Sequence, residues 1–407
     1  MSDYNPLADC RPETLAIRAG LNRSQNAETS EALYMNSGFV FDSAEQADAA
    51  FTGDIDRYLY GRYANPTVTM LEQRLCALEG AEVCRATSSG MAAIFAAMAC
   101  CLESGDRVVA GATLFGSSLH ILGKILPKWG VHVDLVPPAD LDAWEKALST
   151  PAKVVFVETP TNPTLDIVDL KALSTLAHKA GAKVIVDNVV ATPVLQRPLD
   201  LGCDVVVYST TKHLDGQGRT LGGAVLCDKA FDKDHLQQFL RHTGPCMSPF
   251  NAWVVVKGLE TLSLRVREMS RSAQILAERL EALPNVTRVA FPGLASHPSH
   301  AVAKEQMLEG LFGSVLSVEV AGGRPAAFAF LNALEIVDLS NNLGDTKSLS
   351  CHPTTTTHRV LTPEARAAAG ITEGLVRISV GLEHVDDLWR DLERAARAAA
   401  DTLRQAA

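Results

Sequence analysis

From residue 65 onward the apolar positions settle into two alternating rhythms. Residues 67–79 carry Leu71, Leu75 and Leu78 at helical spacing, and Gly80 follows as a stop. Short β-branched runs come next, at 107–110, 131–136, 153–158, 183–187, 204–208 and 223–227. The stretches between them are helical in pattern, and 141–148 and 170–180 are amphipathic. Continuous apolar strands separated by helices predict a parallel α/β sheet covered on both faces. At Leu259 the rhythm changes. Leu259, Leu262, Val266, Met269, Ala273, Leu276, Leu280 and Leu283 keep 3–4 spacing without a break, up to Pro284 and Asn285. This predicts one long helix along a core, with a coiled coil as the alternative. Strand patterns at 314–320 and 375–380 then alternate with helices, and 385–403 closes the chain as a helix. The tail reads as a second, smaller α+β domain. Residues 1–62 have weak periodicity and a Tyr/Arg-rich end, which predicts an arm packed on something else, a neighbouring subunit being one candidate. The expected division is therefore an arm over 1–62, a large domain over 63–258 and a small domain over 259–407.

Composition narrows the class. The 407 residues are 47% hydrophobic and 21% charged, with a mean hydropathy of +0.08, an ordinary globular balance for two or three domains. With 37 Lys+Arg against 47 Asp+Glu the formal charge is −10, and no basic patch appears, so nucleic acid is not an expected partner. Nine cysteines, an odd number without a CxxC pair, do not make a disulfide framework; Cys100 and Cys101 in their apolar run read as buried free thiols. A reducing compartment follows. The N-terminus lacks the basic and apolar regions of a signal peptide, and the longest apolar stretch, 90–102, falls short of the ~20 residues of a membrane span. The expectation is a cytoplasmic protein with no membrane partner.

Candidate chemistry sits at strand ends, where open α/β sheets bind ligands. One buried strand finishes in Asp187-Asn188, and another in Ser209-Thr210-Thr211-Lys212-His213. Upstream, Thr87-Ser88-Ser89-Gly90-Met91 opens an apolar helix, and a small-residue turn at a helix N-terminus is an anion site. Taken singly these are ordinary features: lysines after strands are mostly solvated, and Asp or Ser-Ser-Gly at such positions are mostly caps. Together they are the parts a pyridoxal phosphate (PLP) site needs: a lysine for the Schiff base, a carboxylate for the pyridine nitrogen, and a helix N-terminus with hydroxyls for the phosphate.

The chain resembles the Cys/Met-metabolism family of PLP-dependent enzymes, which includes cystathionine synthases and lyases, methionine γ-lyases and homoserine sulfhydrylases. The resemblance covers about residues 33–388. It is carried by Tyr60-Gly61-Arg62-Tyr63-Ala64-Asn65-Pro66-Thr67, Ser89-Gly90-Met91, Glu158-Thr159-Pro160-Thr161-Asn162-Pro163, Val186-Asp187-Asn188, Ser209-Thr210-Thr211-Lys212 and Gly374 to Gly381 around Arg377. It implies the PLP-dependent transferase fold type I, aspartate aminotransferase-like. That fold has a large domain built on a mostly parallel seven-stranded sheet and a smaller α+β C-terminal domain. It also implies roles. Lys212 would carry the cofactor and shuttle protons, and Asp187 would pair with the pyridinium. Ser89, Gly90, Met91, Ser209 and Thr211 would hold the phosphate, with Tyr60 and Arg62 reaching the cofactor of a neighbouring subunit. Arg377 would clamp the substrate α-carboxylate with Asn162 close by. The family usually forms homotetramers, dimers of active-site-sharing dimers.

Departures from the family pattern point to a branch. The ring-stacking position is Phe115, which lacks the phenol hydroxyl common in the lyases, and Ser117 stands where methionine γ-lyases carry cysteine. Asn342 replaces a frequent serine, and His213-Leu214-Asp215-Gly216-Gln217-Gly218-Arg219 follows the lysine. These features look most like the O-succinylhomoserine sulfhydrylase branch. That resemblance implies γ-substitution on O-succinyl-L-homoserine by sulfide. A cysteine nucleophile, an acetyl ester, γ-elimination and a PLP-binding protein without turnover are the alternatives. Arg219 has two readings, a contact for the distal succinyl carboxylate or a structural ion pair. His213, Asp215 and Arg359 are further pocket candidates, and His213 reads as structural. No metal is expected.

Overall fold

The computed structural model describes residues 6–406; the first five residues of the expected arm and residue 407 lie outside the described residues. The helix Pro66–Glu79 shows how local signals act. The Asn65 side chain accepts the N–H groups of Thr67 and Val68, Pro66 needs no donor partner in the first turn, and Gly80 closes the helix at φ 81°. Its Leu71, Leu75 and Leu78 are buried in the core beneath the large sheet.

That sheet has seven strands, β1 (Val83–Thr87), β2 (Arg107–Gly111), β3 (His132–Val136), β4 (Val154–Glu158), β5 (Lys183–Asp187), β6 (Val205–Ser209) and β7 (Gly223–Cys227), in the order β1-β7-β6-β5-β4-β2-β3. Only β7 runs against the others, being antiparallel to both β1 and β6. The six expected runs are all strands. β1 is an addition: its sequence, VCRAT, has no apolar run, and Arg85 is tolerated there because Asp232 takes it in two hydrogen bonds of 2.6 and 2.8 Å. Parallel pairing places Glu158 beside Asp187 and brings the carboxyl ends of β4, β5 and β6 to one edge.

A second sheet contains β8 (Val286–Ala290), β9 (Val315–Val320), β10 (Asp338–Leu339), β11 (Leu349–Cys351) and β12 (Leu375–Ser379), in the order β10-β11-β12-β9-β8. The helices Gly323–Asn332 and Val385–Ala406 cover it with Phe330, Leu331, Leu388 and Leu392. The expected single helix from Leu259 is two. Pro249–Leu259 ends at Glu260, and Leu262–Glu281 starts afresh after Thr261. The apolar rhythm runs across this break because Leu259, Leu262 and Val266 all enter the core of the large sheet. Ala273, Leu276 and Leu280, farther along, enter the core of the second. The long helix thus joins the two cores.

Two short helices, Pro12–Arg18 and Ala44–Thr52, lie within the stretch expected as an arm. Its first part is tied to its own chain: buried Arg74 bonds the carbonyl of Ala19 (3.0 Å) and the carboxylate of buried Glu31 (2.7 Å). Farther on, Met35, Val40 and Phe51 are exposed. All nine cysteines are free thiols, and among the described residues no helix is long and apolar enough to cross a membrane and no cluster could hold a metal.

Candidate active site

At the carboxyl edge of β4–β6 lies a cavity of about 210 Å³, and most of the residues singled out in the sequence line it. The first wall is the start of the helix Gly90–Ala99. The Ser89 hydroxyl accepts from the N–H of Ala92, while a helix start leaves its first amides without intrahelical partners. Glycine at position 90 is a packing requirement. A Cβ there would lie 2.6 Å from the Ser209 Cβ, so only glycine lets the helix abut the end of β6. Ser209 and Thr211 bring hydroxyls to the same wall, and the Thr211 hydroxyl accepts the N–H of Gly222 at 3.1 Å.

Lys212 follows directly in the turn after β6. Its Nζ donates to the side-chain oxygen of Asn342. Burial, and then repulsion from Arg377, brings its pKa down to about 8, although Asp187 pulls the other way. Asp187 ends β5; burial pushes its carboxyl up to about 7, against the Val189 N–H and Lys212, which favour its ionised form. A buried carboxyl in that position gains most from a cation, and a protonated ring nitrogen is one. Glu158, at the end of β4, is raised too, by burial and by Asp187 beside it.

The second sheet supplies the opposite wall. Arg377 in β12 is 1% exposed. One terminal nitrogen donates to the side chain of Asn162 at 3.1 Å, the other to the carbonyls of Asn341 (3.1 Å) and Asn342 (2.8 Å), and its Nε is buried with no partner among the described residues. Among the described residues this buried guanidinium is held only by neutral oxygens, an incomplete arrangement that a ligand carboxylate completes. Phe115, immediately before the short helix Gly116–His120, lines the cavity, as do Leu221 and Leu343.

Not every candidate converges here. Arg219 does not line the cavity: its guanidinium meets the buried carboxylate of Asp215 at 2.8 Å and its backbone N–H meets the other oxygen at 2.7 Å. Tyr60 and Arg62 lie elsewhere on this chain; the Arg62 guanidinium sits 5.3 and 4.9 Å from the rings of Tyr60 and Tyr63 and borders a separate cleft with Arg85, Arg241 and Cys246. His213 bonds Ser314 at 2.8 Å and is held neutral by burial, with a pKa down to about 4, in keeping with a structural role. Arg359 is exposed. Two polar lining residues had been given no role from the sequence: Glu158 and Asn341. For Glu158 a signal existed, since it terminates an apolar strand just as Asp187 does. For Asn341, which acts through its carbonyl, there was none.

The residues fit pyridoxal phosphate. An amine of lowered basicity, a buried carboxyl short of a cation and a helix start with hydroxyls line one cavity on a mostly parallel sheet. Fold and site together define a PLP-dependent enzyme of fold type I. The chain belongs to the Cys/Met metabolism PLP-dependent enzyme family, whose profile matches residues 13–397. It is 52% identical over 388 residues to an O-succinylhomoserine sulfhydrylase of Mycobacterium tuberculosis, covering 94% of this chain and 95% of the relative. A protein of the same description from Pseudomonas aeruginosa is 47% identical over 386 residues, covering 95% of each. Among solved structures, an O-acetylhomoserine (thiol)-lyase assignment from Campylobacter jejuni superposes with a TM-score of 0.91 at 32% identity, over 95% of this chain and 100% of that one, and carries N'-pyridoxyl-lysine-5'-monophosphate.

Proposed function

We propose that this enzyme replaces the succinyloxy group of O-succinyl-L-homoserine with sulfide, releasing L-homocysteine and succinate. The observation that carries the amino-acid part of this reading is Arg377, a buried guanidinium with no carboxylate partner among the described residues, facing the same cavity as Lys212 and Asp187. The 52% and 47% identities to sulfhydrylases, and a phenylalanine at position 115, support the branch.

Each residue then has a task. Lys212 attaches the cofactor, which when bound supplies an electron sink conjugated to the substrate's Cα. Asp187 keeps the ring nitrogen protonated, while the amides of Gly90 and Met91 and the hydroxyls of Ser89, Ser209 and Thr211 hold the phosphate. Arg377 grips the α-carboxylate through its planar fork, with Asn162 fixing the fork's outer edge. Released by the substrate amine, Lys212 would act as the base: it would take the Cα proton, pass it on to the bound cofactor, and then take a Cβ proton. The Cγ–O bond breaks with the electron pair leaving on succinate, sulfide forms the Cγ–S bond, and Lys212 returns the protons. Phe115 has no hydroxyl, so these transfers rest on Lys212, whose amine is oriented by Asn342. Tyr60 and Arg62 belong to the same proposal as ligands offered across a subunit interface. So do a homotetramer, a cytoplasmic location and a division into an arm (1–62), a PLP-binding domain (63–258) and a small domain (259–407).

The test is product analysis with O-succinyl- and O-acetyl-L-homoserine, each with sulfide, with cysteine and without a nucleophile. The expected result is homocysteine from the succinyl ester and sulfide, well in excess of 2-oxobutyrate. Cystathionine or 2-oxobutyrate as the main product refutes the sulfhydrylase assignment.

A further inference from the structure

Glu158 is the one acidic side chain in the cavity wall to which the proposed chemistry gives no task. It is 2% exposed, ends β4, and sits opposite Asp187 in the parallel register of β4 and β5. Among the described residues no cationic side chain bonds it. Both of its oxygens are nevertheless occupied: one accepts the backbone N–H of Phe115 at 2.8 Å, the other the backbone N–H of Asn162 at 2.9 Å. These two amides belong to different loops. Phe115 follows β2 and opens the helix Gly116–His120, whereas Asn162 lies in the loop after β4. Asn162 in turn accepts from Arg377, Arg377 donates to the Asn342 carbonyl, and the Asn342 side chain accepts from Lys212. A single buried carboxylate therefore anchors a chain of hydrogen bonds that reaches the cofactor lysine.

We infer that Glu158 is a positioning residue that clamps the Phe115 and Asn162 loops together and so sets the ring-facing phenyl and the Arg377 fork in register. This rests on the proposed roles of Phe115 and Arg377. A carboxylate is suited to the task because both its ends accept; an amide offers one acceptor and one donor, and the donor meets a backbone N–H head-on.

Glu158→Gln is the direct test, with Glu158→Asp as its partner. Asp keeps a carboxyl beside Asp187 but is one methylene too short to reach both loops. The first readout needs no turnover: amide hydrogen exchange over residues 113–120 and 158–165. In Glu158→Gln at least one of the two segments should lose protection. The second is kinetic, with the KM for the amino-acid substrate expected to rise and kcat to fall, since misplacement of about 1 Å at a reacting centre costs about 10²-fold. Glu158→Asp should show losses of the same kind although it keeps a carboxyl. Full rescue by Asp would assign the effect to a carboxyl beside Asp187 rather than to its reach, and overturn the clamp. Unchanged exchange at both loops in Glu158→Gln would do so as well. Should Glu158→Gln not fold, the Asp variant is judged on the same exchange criterion. Visible absorption of the bound cofactor in the unaltered protein keeps the two proposals separate: its absence defeats the proposed function, whereas its presence with unaffected variants defeats only the clamp.

Discussion

Lys212 has to offer a neutral amine before it can attach a cofactor, and the structure sets how easily it does so. Its pKa falls from the usual 10.5 to about 8, first through burial and then through the Arg377 cation. At about 1.4 kcal/mol per unit, that is about 3 kcal/mol against the charged amine. At pH 7 the neutral fraction is then about one in ten, roughly 300-fold more than a solvated lysine presents. The perturbation is Arg377→Met, which removes the charge but keeps much of the volume. Burial remains, so the midpoint should move upward to a value between 8 and 10.5. The assay is the rate at which cofactor-free protein takes up pyridoxal phosphate, followed by its visible absorption from pH 7.5 to 10.5, a range in which Asp187 is ionised. For the unaltered protein the rate should climb with pH and level off above about 8. A plateau reached only near 10.5 would refute the account of Lys212. A midpoint that stays or falls in Arg377→Met would refute the contribution of Arg377.

Two further perturbations probe the cofactor wall and the ester side. Gly90→Ala places a methyl 2.6 Å from the Ser209 Cβ, so the helix start must retreat from the end of β6. Phosphate affinity depends on those amides, and equilibrium dialysis should show cofactor binding weakened by about tenfold or more, each tenfold being about 1.4 kcal/mol. Native affinity would contradict the cradle. Arg219→Ala should change KM for the succinyl and acetyl esters by the same factor, because Asp215 already occupies the guanidinium. A selective rise for the succinyl ester, read from steady-state kinetics, would restore Arg219 as a distal-carboxylate contact.

Much of the fold was legible from residue order because its signals are local. Apolar runs bounded by turns marked β2 to β7, and Gly80 marked the end of a helix, since caps act over three or four residues. The strand-end positions of Asp187, Ser209 and Lys212 followed from the same runs, and together with the family motifs they identified the cofactor. Much of what stayed hidden depends on pairs far apart in the chain. β1 is a strand because β7 pairs with it and Asp232 neutralises Arg85 across 147 positions. The break at Glu260–Thr261 does not disturb the apolar rhythm, so no pattern of hydrophobicity reveals it. Arg219 resembles a free cation in the sequence, yet the turn after Lys212 folds it onto Asp215 only four residues away. The Arg377–Asn162 and Lys212–Asn342 contacts span 215 and 130 positions. Residue types and strand ends determined which chemistry this chain carries. The packing of the second sheet against the first decided which groups touch, because hydrogen bonds act over about 3 Å and no local spacing encodes so close an approach.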